Sequence, residues 1–298
     1  MLTYLILYLR LESYVFNSIK NIYKDLTLLD ATSFNNSPIT TDMESLSKEI
    51  DTYAKNKKLE LEALKIREKY RKEFIGNVSH ELKTPLFTVQ GYISTLIDGA
   101  VEDPQIRDKY LKRADKGVDR LLYIVKDLDM ITKLEVGDAN LTLEPFNIKD
   151  CITNVFDLLE IKAEKKNISL IFDKDYPTPV MVIADRQRIQ QVLTNLVVNS
   201  IKYGHQNGTT EISIENLNSD KLIVRVTDNG EGVEHNHLTR LFERFYRVDK
   251  SGSREEGGSG LGLSIVKHII EAHEEKIYVE SKYGIGSEFS FTLQKQNE

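Results

Sequence analysis

The strongest constraint on the fold of this chain is a pair of helical stretches separated by a short helix-breaking segment. The spacing of apolar residues predicts one helix over Glu73–Gly99 and another over Gln105–Glu135. Between them, Gly99 is suited to end the first helix and Pro104 to begin the second. The second helix has apolar residues at alternating spacings of three and four, namely Leu111, Ala114, Val118, Leu121, Val125 and Leu128. This rhythm is typical of the seam of a coiled coil or helical bundle.

A two-helix hairpin of this kind buries too little apolar surface to be stable alone. We therefore expect two copies of the chain to pair, so that their hairpins form a dimeric four-helix bundle. The chain has 298 residues, which suffice for about two domains. Its net charge of -6 argues against a general nucleic-acid binder, which usually has a basic surface. Because Cys151 is the single cysteine, no intrachain disulfide is expected.

The N-terminus is strongly apolar. The run Met1–Leu9 is almost wholly hydrophobic and ends at Arg10. It is too short to cross a bilayer, which takes about 20 residues. It also lacks the basic region and the cleavage site of a signal peptide. Two interpretations remain: the run is the cytoplasmic end of a transmembrane helix, which we expect, or it is the apolar stripe of a packed helix.

Residues 10–72 are predicted to form a helical linker. Apolar spacing predicts a first helix over about 10–28 and a second one that begins after Thr41 or Asp42 as its N-cap. The segment Ala31–Asp42 between them is rich in Ser, Thr and Asn and contains Pro38, so it is predicted to be a connector. This arrangement resembles a HAMP-like signalling linker, and a coiled-coil stalk explains it equally well.

The pattern of the sequence changes from helical to β-rich after Val136–Asn140, a segment that we interpret as a hinge. Short β-rich runs occur at Ile168–Phe172, Val180–Ala184, Glu211–Glu215, Leu222–Val226, Lys276–Ser281 and Glu288–Leu293. Helical stretches separate them at Ile148–Lys166, Asp185–Tyr203 and Leu261–His273. The pattern predicts an α+β layer, in which helices cover one face of a sheet.

The first candidate site lies in the string FIGNVSHELKTPL, Phe74–Leu86. Glu81 follows His80 directly, and Thr84 lies one helical turn further on the same face. An exposed imidazole is a nucleophile when one ring nitrogen is deprotonated, and an adjacent carboxylate can take the proton from the other nitrogen. A His-Glu pair alone is more often an ordinary surface feature, so the residues themselves leave both interpretations open.

The second candidate site lies in Asp185–Gly204. Asn195, Asn199 and Lys202 have spacings of four and three, which place them on one face of a helix. Two amide oxygens and an ammonium group could hold a hydrated Mg²⁺ and a polyphosphate, because Mg²⁺ prefers oxygen ligands and keeps several waters. A solvated polar helix face would have the same spacing.

Two glycine-rich segments follow. Asp228–Val233 (DNGEGV) comes directly after a predicted strand, and its spacing suits a tight turn that lets the backbone approach a flat ligand. Gly257–Ile270 begins with closely spaced glycines and continues as a helix, whose first backbone N–H groups attract phosphate. It lacks the GxxxxGK[ST] pattern of a Walker A loop. The glycines are Gly230 and Gly232 in the first segment and Gly258, Gly260 and Gly262 in the second.

Together these strings resemble the sensor histidine kinases of two-component systems. Phe74–Leu86 is similar to the H-box of that family, Asp185–Gly204 to its N-box, and the two glycine-rich segments to its G1 and G2 boxes. Leu241–Lys250 resembles its F-box, and Ser251–Gly258 is polar, as the ATP lid of the family is. The boxes occur in family order over roughly Phe74–Leu293, and their order most resembles membrane sensor kinases of the PhoR-like kind.

The resemblance implies a fold and its boundaries. A dimerisation and phosphotransfer domain is expected over 73–136, followed by a Bergerat-type α/β-sandwich ATP-binding domain over 137–298. Glu274 and Glu275 depart from the family, because many members have a Gly-Gly turn at this position. The departure puts the local turn geometry in doubt and leaves the expected nucleotide site unchanged.

The resemblance also implies a role for each candidate residue. In the helical hairpin, His80 is the implied phosphoacceptor, Glu81 the assisting base and Thr84 the residue that orients water in a phosphatase reaction. In the second domain, Asn199 is the implied Mg²⁺ ligand, while Asn195 and Lys202 contact phosphates. The other implied ATP-binding residues are Tyr203, Asp228, Gly230, Gly232, Arg244, Arg247, Gly258, Gly260 and Gly262, with Asp228 reading adenine and the two arginines offsetting γ-phosphate charge.

The implied reaction is autophosphorylation of His80 by ATP and Mg²⁺, followed by transfer to an aspartate of a separate response regulator. A phosphatase activity towards that regulator is expected beside it. A catalytically silent dimeric scaffold is the alternative from another class. The catalytic portion is expected in the cytoplasm, at the inner face of the cell membrane, and no nucleic-acid partner is expected.

Overall fold

A computed structural model describes residues 1–29, 43–135, 141–248 and 259–296. The chain divides into two compact units, Met1–Ile75 and Gly76–Glu298. The predicted connector at 31–42, with its N-cap, and the predicted hinge at 136–140 lie outside the described residues. The boundary predicted between residues 72 and 73 falls inside a helix.

The first unit is helical. Helix α1 covers Leu2–Leu29, and helix α2 begins in this unit and covers Met43–Ile97. The two helices predicted on either side of residue 72 are therefore one helix of 55 residues. No glycine or proline interrupts its first half, and Lys72 pairs with Glu68 one turn away at 2.7 Å, which supports the helix where its apolar stripe is weak. Within the ranges given above, we find no helix with both the length and the hydrophobicity needed to span a bilayer.

The hairpin of the second unit turns where the sequence predicts. Gly99 has a φ of 112°, a conformation open to glycine, and is followed by a 3₁₀ turn at Ala100–Glu102. Helix α3 begins at Pro104 and covers Pro104–Glu135. Gly117 allows the two helices to approach closely, because a Cβ there would lie 2.4 Å from a methyl group of Val89. The predicted end and start of the two helices at Gly99 and Pro104 are both present.

The apolar residues of α3 divide between two faces. Ala114, Ile124 and Ile131 are buried. Leu111, Val118 and Val125, which the sequence assigns to the same seam as Ala114, are instead 44–52% exposed. Within one chain, the six-residue seam is therefore only partly buried. Ile124 and Ile131, which the sequence did not assign to the seam, are buried instead.

The described part contains seven strands, which are β1 Glu144–Asn147, β2 Ser169–Phe172, β3 Met181–Ala184, β4 Thr209–Asn216, β5 Lys221–Asp228, β6 Ile277–Lys282 and β7 Gly286–Lys295. They form one mixed sheet in the order β1-β3-β7-β5-β4-β2, with β6 paired to β7. All six predicted strands are present. β1 was not predicted, because it has only four residues and contains Pro145.

The predicted helices of this domain are also present. They are α4 (Ile148–Glu164), α5 (Arg186–Tyr203) and α7 (Gly262–Ala272), and a short α6 (His235–Leu238) is additional. The side chain of Asp185 caps α5 by accepting a hydrogen bond from the Arg188 N–H at 3.0 Å. Ile212 of β4, Val224 of β5 and Phe291 of β7 are fully buried in the core that these strands share with the helices. Alternating burial along β4 orients one face of the sheet towards α5, as the α+β prediction requires.

The turn after α7 accommodates its two glutamates differently. Glu274 has a φ of 59°, in the left-handed region that favours glycine. Glu275 is buried, and its carboxylate accepts a hydrogen bond from Nζ of Lys221 at 2.7 Å. Glu274 therefore adopts the backbone conformation of a glycine turn, and Glu275 is stabilised by its own ion pair.

Replacing Glu274 by Gly is expected to stabilise the protein by about 0.5–1 kcal/mol, because relief of the left-handed strain exceeds the added entropy of the unfolded chain. Thermal unfolding measures the change. Asn207→Gly is the matched control, because Asn207 has a φ of 62° but asparagine tolerates this region, so its gain should be smaller. A lower midpoint for Glu274→Gly would contradict the prediction.

Candidate functional site

The His80 side chain lies on the outer face of α2, and it is 69% exposed. Its Nδ1 is 3.9 Å from Oε1 of Glu81, whose side chain is only 20% exposed. The Thr84 hydroxyl donates a hydrogen bond to the carbonyl oxygen of His80 at 3.2 Å. The three residues chosen from the sequence thus lie within one helical turn, with an accessible imidazole beside a partly buried carboxylate.

Glu81 has a second neighbour, a charged one, that the sequence analysis missed. Nη2 of Arg120, on α3, donates to Oε2 of Glu81 at 3.3 Å. The two residues are 39 positions apart, so no spacing within one helix connects them. The pair becomes visible only when the hairpin is folded.

The polar face of α5 lies beside the start of α7. Asn195 and Asn199 are both partly buried, whereas Leu196 and Val197 are fully buried in the core. Nδ2 of Asn195 donates to the carbonyl oxygen of Gly262 at 3.4 Å, which joins the second candidate site to the second glycine-rich segment. At the end of α5, Nζ of Lys202 lies 5.0 Å from the centre of the Tyr203 ring, which is 44% exposed.

The turn after β5 is built around Asp228. Its Oδ1 accepts hydrogen bonds from the Gly230 N–H at 2.9 Å and from the Ser287 N–H at 3.3 Å. Burial raises the pKa of Asp228, and these two backbone bonds oppose the shift. Because both bonds go to Oδ1, the other oxygen is the one that can face a ligand.

The two glycines of this turn are required by close packing. A Cβ on Gly230 would lie 2.4 Å from the carbonyl oxygen of Tyr203, so any side chain would push the turn away from the end of α5. Gly232 has a φ of 66°, and a Cβ there would lie 2.1 Å from the carbonyl oxygen of Lys282. The structure therefore explains why glycine is needed at both positions.

The second glycine-rich segment is described from Ser259 onwards, and Gly258 and the rest of the predicted lid lie outside the described residues. Gly260 has a φ of 73° and accepts a hydrogen bond from the Phe245 N–H at 2.9 Å. A Cβ on Gly260 would lie 2.8 Å from the backbone of Phe245. Gly262 is the first residue of α7, and a Cβ there would make only ordinary contacts.

One of the two candidate arginines, Arg244, contacts α7 of this segment. Nη2 of Arg244 is 3.2 Å from Nε2 of His268 on α7. Burial lowers the pKa of Arg244, and burial together with the Arg244 charge lowers the pKa of His268. A neutral His268 can therefore accept a hydrogen bond from the guanidinium of Arg244. Arg247 is partly buried.

A buried carboxyl group on α3 contacts the same segment and was also missed. Asp127 is 5% exposed, and the Ser259 hydroxyl donates to its Oδ2 at 3.4 Å. Burial raises the pKa of Asp127 to about 6, and the bond from Ser259 opposes the rise. The sequence signal that could have revealed this contact is the position of Asp127, a charged residue between the apolar Ile124 and Leu128 on the buried side of α3.

The Asp127 carboxyl group should lower the stability of the folded protein as pH rises through its pKa of about 6. A carboxyl group whose pKa is raised in the folded state binds protons more tightly there than in the unfolded chain, so its stabilising effect is lost as pH rises from about 4 to about 6. Replacing Asp127 by Asn removes this loss. Relative to the unsubstituted protein, Asp127→Asn should gain about 1–2 kcal/mol between pH 4.5 and pH 8.

Thermal unfolding midpoints across that pH range measure the Asp127 effect. Asp129→Asn is the matched control, because Asp129 lies on the same helix, is exposed and pairs with Lys133 at 2.8 Å. Parallel pH curves for Asp127→Asn and the unsubstituted protein would show that the carboxyl group is not buried as described.

Comparison with known families agrees with this geometry. Residues 70–137 match the family described as the His Kinase A (phospho-acceptor) domain. Residues 184–297 match the family described as the histidine kinase-, DNA gyrase B-, and HSP90-like ATPase. The first match contains the His80 helix, and the second contains the α5 face, the Asp228 turn and α7. The fold therefore combines a phospho-acceptor hairpin with an ATPase domain of this type.

Two proteins similar to this chain are sensor kinases. The sensor histidine kinase WalK of Bacillus subtilis (strain 168) is 35% identical over 231 residues, which cover 76% of this chain and 37% of that protein. The sensor protein kinase WalK of Staphylococcus aureus is 32% identical over 228 residues, which cover 76% of this chain and 54% of that protein. The chain thus spans between about a third and about half of the length of these relatives.

Solved structures with this fold are also histidine kinases. The Acinetobacter baumannii histidine kinase AdeS is 29% identical with a TM-score of 0.59, and the match covers 73% of this chain and 98% of that one. Histidine kinase ThkA, solved in complex with the response regulator protein TrrA, is 30% identical with a TM-score of 0.59 and covers 75% of this chain and 61% of that one. The chain belongs to the sensor histidine kinases of two-component systems. The PhoR-like subgroup stays a prediction, because these relatives do not test it.

Proposed function

We propose that the protein uses ATP to phosphorylate His80 and then passes the phosphoryl group to an aspartate of a response regulator. The observation that carries this proposal is an exposed imidazole beside a partly buried carboxylate, in the same unit as an ATPase-type fold. Since Nδ1 of His80 faces Glu81, Nε2 is the nitrogen that attacks. A bond forms between Nε2 and the γ-phosphorus, the bond from that phosphorus to ADP breaks, and Glu81 takes the proton from Nδ1.

In this proposal ATP binds between α5, the Asp228 turn and the start of α7. The free oxygen of Asp228 accepts a hydrogen bond from the adenine amino group, and the exposed Tyr203 ring packs against the nucleotide. Asn195 and Lys202 hold the phosphates, while Arg244 and Arg247 offset the charge of the γ-phosphate. Gly230, Gly232, Gly258, Gly260 and Gly262 let the backbone approach the ligand.

Mg²⁺ is the proposed metal, and Asn199 is its proposed ligand. Within the described ranges no cluster of three or more His, Cys, Asp or Glu side chains could hold a metal ion. The partly buried Asn199 nevertheless fits Mg²⁺, because this ion accepts a single amide oxygen together with waters and substrate phosphates. When bound, the ion would neutralise phosphate charge in the transition state.

We also propose a homodimer in which the α3 faces of two chains meet. The exposed Leu111, Val118 and Val125 lie on one stripe of α3 and supply the apolar surface that a four-helix bundle buries. Attachment to the inner face of the cell membrane is proposed through the N-terminus, where apolar side chains of α1 such as Leu2, Leu5 and Leu7 are exposed.

A phosphatase activity towards the regulator is the second proposed function. Glu81 and Thr84 lie on one turn of α2, where they could direct water at a phosphoaspartate brought to His80. Thr84→Ala should then slow the loss of phosphate from the regulator without reducing phosphorylation of His80. Equal rates of loss for both proteins would remove this activity from the proposal.

Incubation with γ-labelled ATP and Mg²⁺ tests the kinase proposal. The protein should acquire a label that is lost in acid and stable in base, as a phosphohistidine is. A silent scaffold would acquire no label, and a label that is stable in acid would lie on another residue type. A label that no response regulator removes would contradict the signalling role.

A further inference from the structure

The carboxylate of Glu81 lies between two cationic or potentially cationic groups on different helices. Oε1 is 3.9 Å from Nδ1 of His80 on α2, and Oε2 is 3.3 Å from Nη2 of Arg120 on α3. Each oxygen therefore has its own partner. Arg120 thus contacts one carboxylate oxygen, while the other oxygen faces the imidazole.

We propose that Arg120 is a positioning residue for the reaction at His80, and that it acts by holding the Glu81 carboxylate towards Nδ1. This inference rests on the proposed kinase function. Arg120 does not touch the reacting nitrogen in this arrangement; its effect passes through Glu81.

The need for such a residue follows from the mobility of glutamate. Its side chain has several rotatable bonds, and proton transfer requires the carboxylate to approach Nδ1 from the present 3.9 Å to hydrogen-bonding reach. Glu81 and His80 are neighbours in sequence, so the helix alone does not direct the carboxylate at the ring. The Arg120 side chain is 31% exposed and approaches Glu81 from the opposite helix. Its contact restricts the side-chain conformations that Glu81 can adopt.

The hairpin contains a matched arginine for comparison. Arg113 lies two turns earlier on α3, and its Nη1 donates to the hydroxyl of Tyr92 on α2 at 3.3 Å. Both arginines thus make a polar contact of the same length across the hairpin. Only Arg120 contacts the residue next to His80, so the two variants separate hairpin stability from positioning.

The experiment compares Arg120→Met, Arg120→Lys and Arg113→Met in the full chain, with initial rates of His80 labelling measured over a range of ATP concentrations. Arg120→Met should reduce kcat about tenfold and leave the KM for ATP unchanged, because proton transfer by a positioned group contributes this much or more. Arg120→Lys should recover most of the rate, since it keeps a charged donor. Arg113→Met should stay within about twofold of the unsubstituted protein.

A double-mutant cycle with Glu81→Gln provides the second readout. If Arg120 acts through Glu81, adding Arg120→Met to Glu81→Gln should lower the rate little further. A full additional loss, or equal losses for Arg120→Met and Arg113→Met, would overturn the inference. Absence of label in the unsubstituted protein would instead refute the kinase proposal itself, so the two failures are distinguishable.

Discussion

Replacing His80 by Gln is expected to reduce phosphoryl incorporation from γ-labelled ATP roughly 100-fold or more, because the amide has no nucleophilic nitrogen. Because the His80 side chain is 69% exposed, the variant should unfold at an unchanged temperature. ATP binding should be retained, because the proposed nucleotide residues lie on other elements. Labelling and ATP binding are measured on the same preparation.

The matched control for His80 is His235→Gln. His235 is an exposed residue of the short helix α6 and has no part in the proposed reaction. Its substitution should leave the label unchanged. If His80→Gln retains the label, the phosphoacceptor is another residue and the proposed chemistry at α2 is wrong.

Replacing Asp228 by Asn is expected to weaken ATP binding roughly 100-fold, or about 3 kcal/mol. Oδ1 can still accept its bonds from Gly230 and Ser287, so the turn should stay folded. The NH₂ group then replaces the oxygen that faces the ligand, and it meets the adenine amino group with donor against donor. Calorimetric titration with a non-hydrolysable ATP analogue measures the affinity.

Asp175→Asn is the control for Asp228, because Asp175 lies in the same domain and is 89% exposed. It should bind the analogue with unchanged affinity. Unchanged affinity in Asp228→Asn would show that Asp228 does not contact the base. Mixing His80→Gln with Asp228→Asn adds a test of the dimer, because label can return only if a phosphoryl group passes between two chains.

Local periodicity predicted most of the fold correctly. The alternation of apolar residues in β4 and the helix-breaking residues Gly99 and Pro104 each determine structure through near neighbours in sequence. The same is true of the shared face of Asn195 and Asn199 on α5. The continuation of the second linker helix into the helix predicted over Glu73–Gly99 was not predicted, because the apolar stripe of this part is weak.

Contacts between distant residues were not predictable in this way. Arg120 meets Glu81, and Asp127 meets Ser259, only after the hairpin and the ATPase domain have folded. The roles of single residues came from the resemblance of whole strings. From the residues alone, both interpretations of His80 stayed open, with an ordinary surface histidine the more frequent one. The α5 face was equally consistent with a phosphate site and with a solvated surface.

The central claim is that His80 carries the phosphoryl group delivered from ATP. Tandem mass spectrometry of the protein, digested at neutral to basic pH after incubation with ATP and Mg²⁺, tests it most directly. We expect phosphate on the imidazole of His80, and much less of this phosphorylated peptide when Asp228 is replaced by Asn, because ATP then binds roughly 100-fold more weakly. Phosphate on any other residue, with His80 unmodified in a protein that binds ATP, would contradict it.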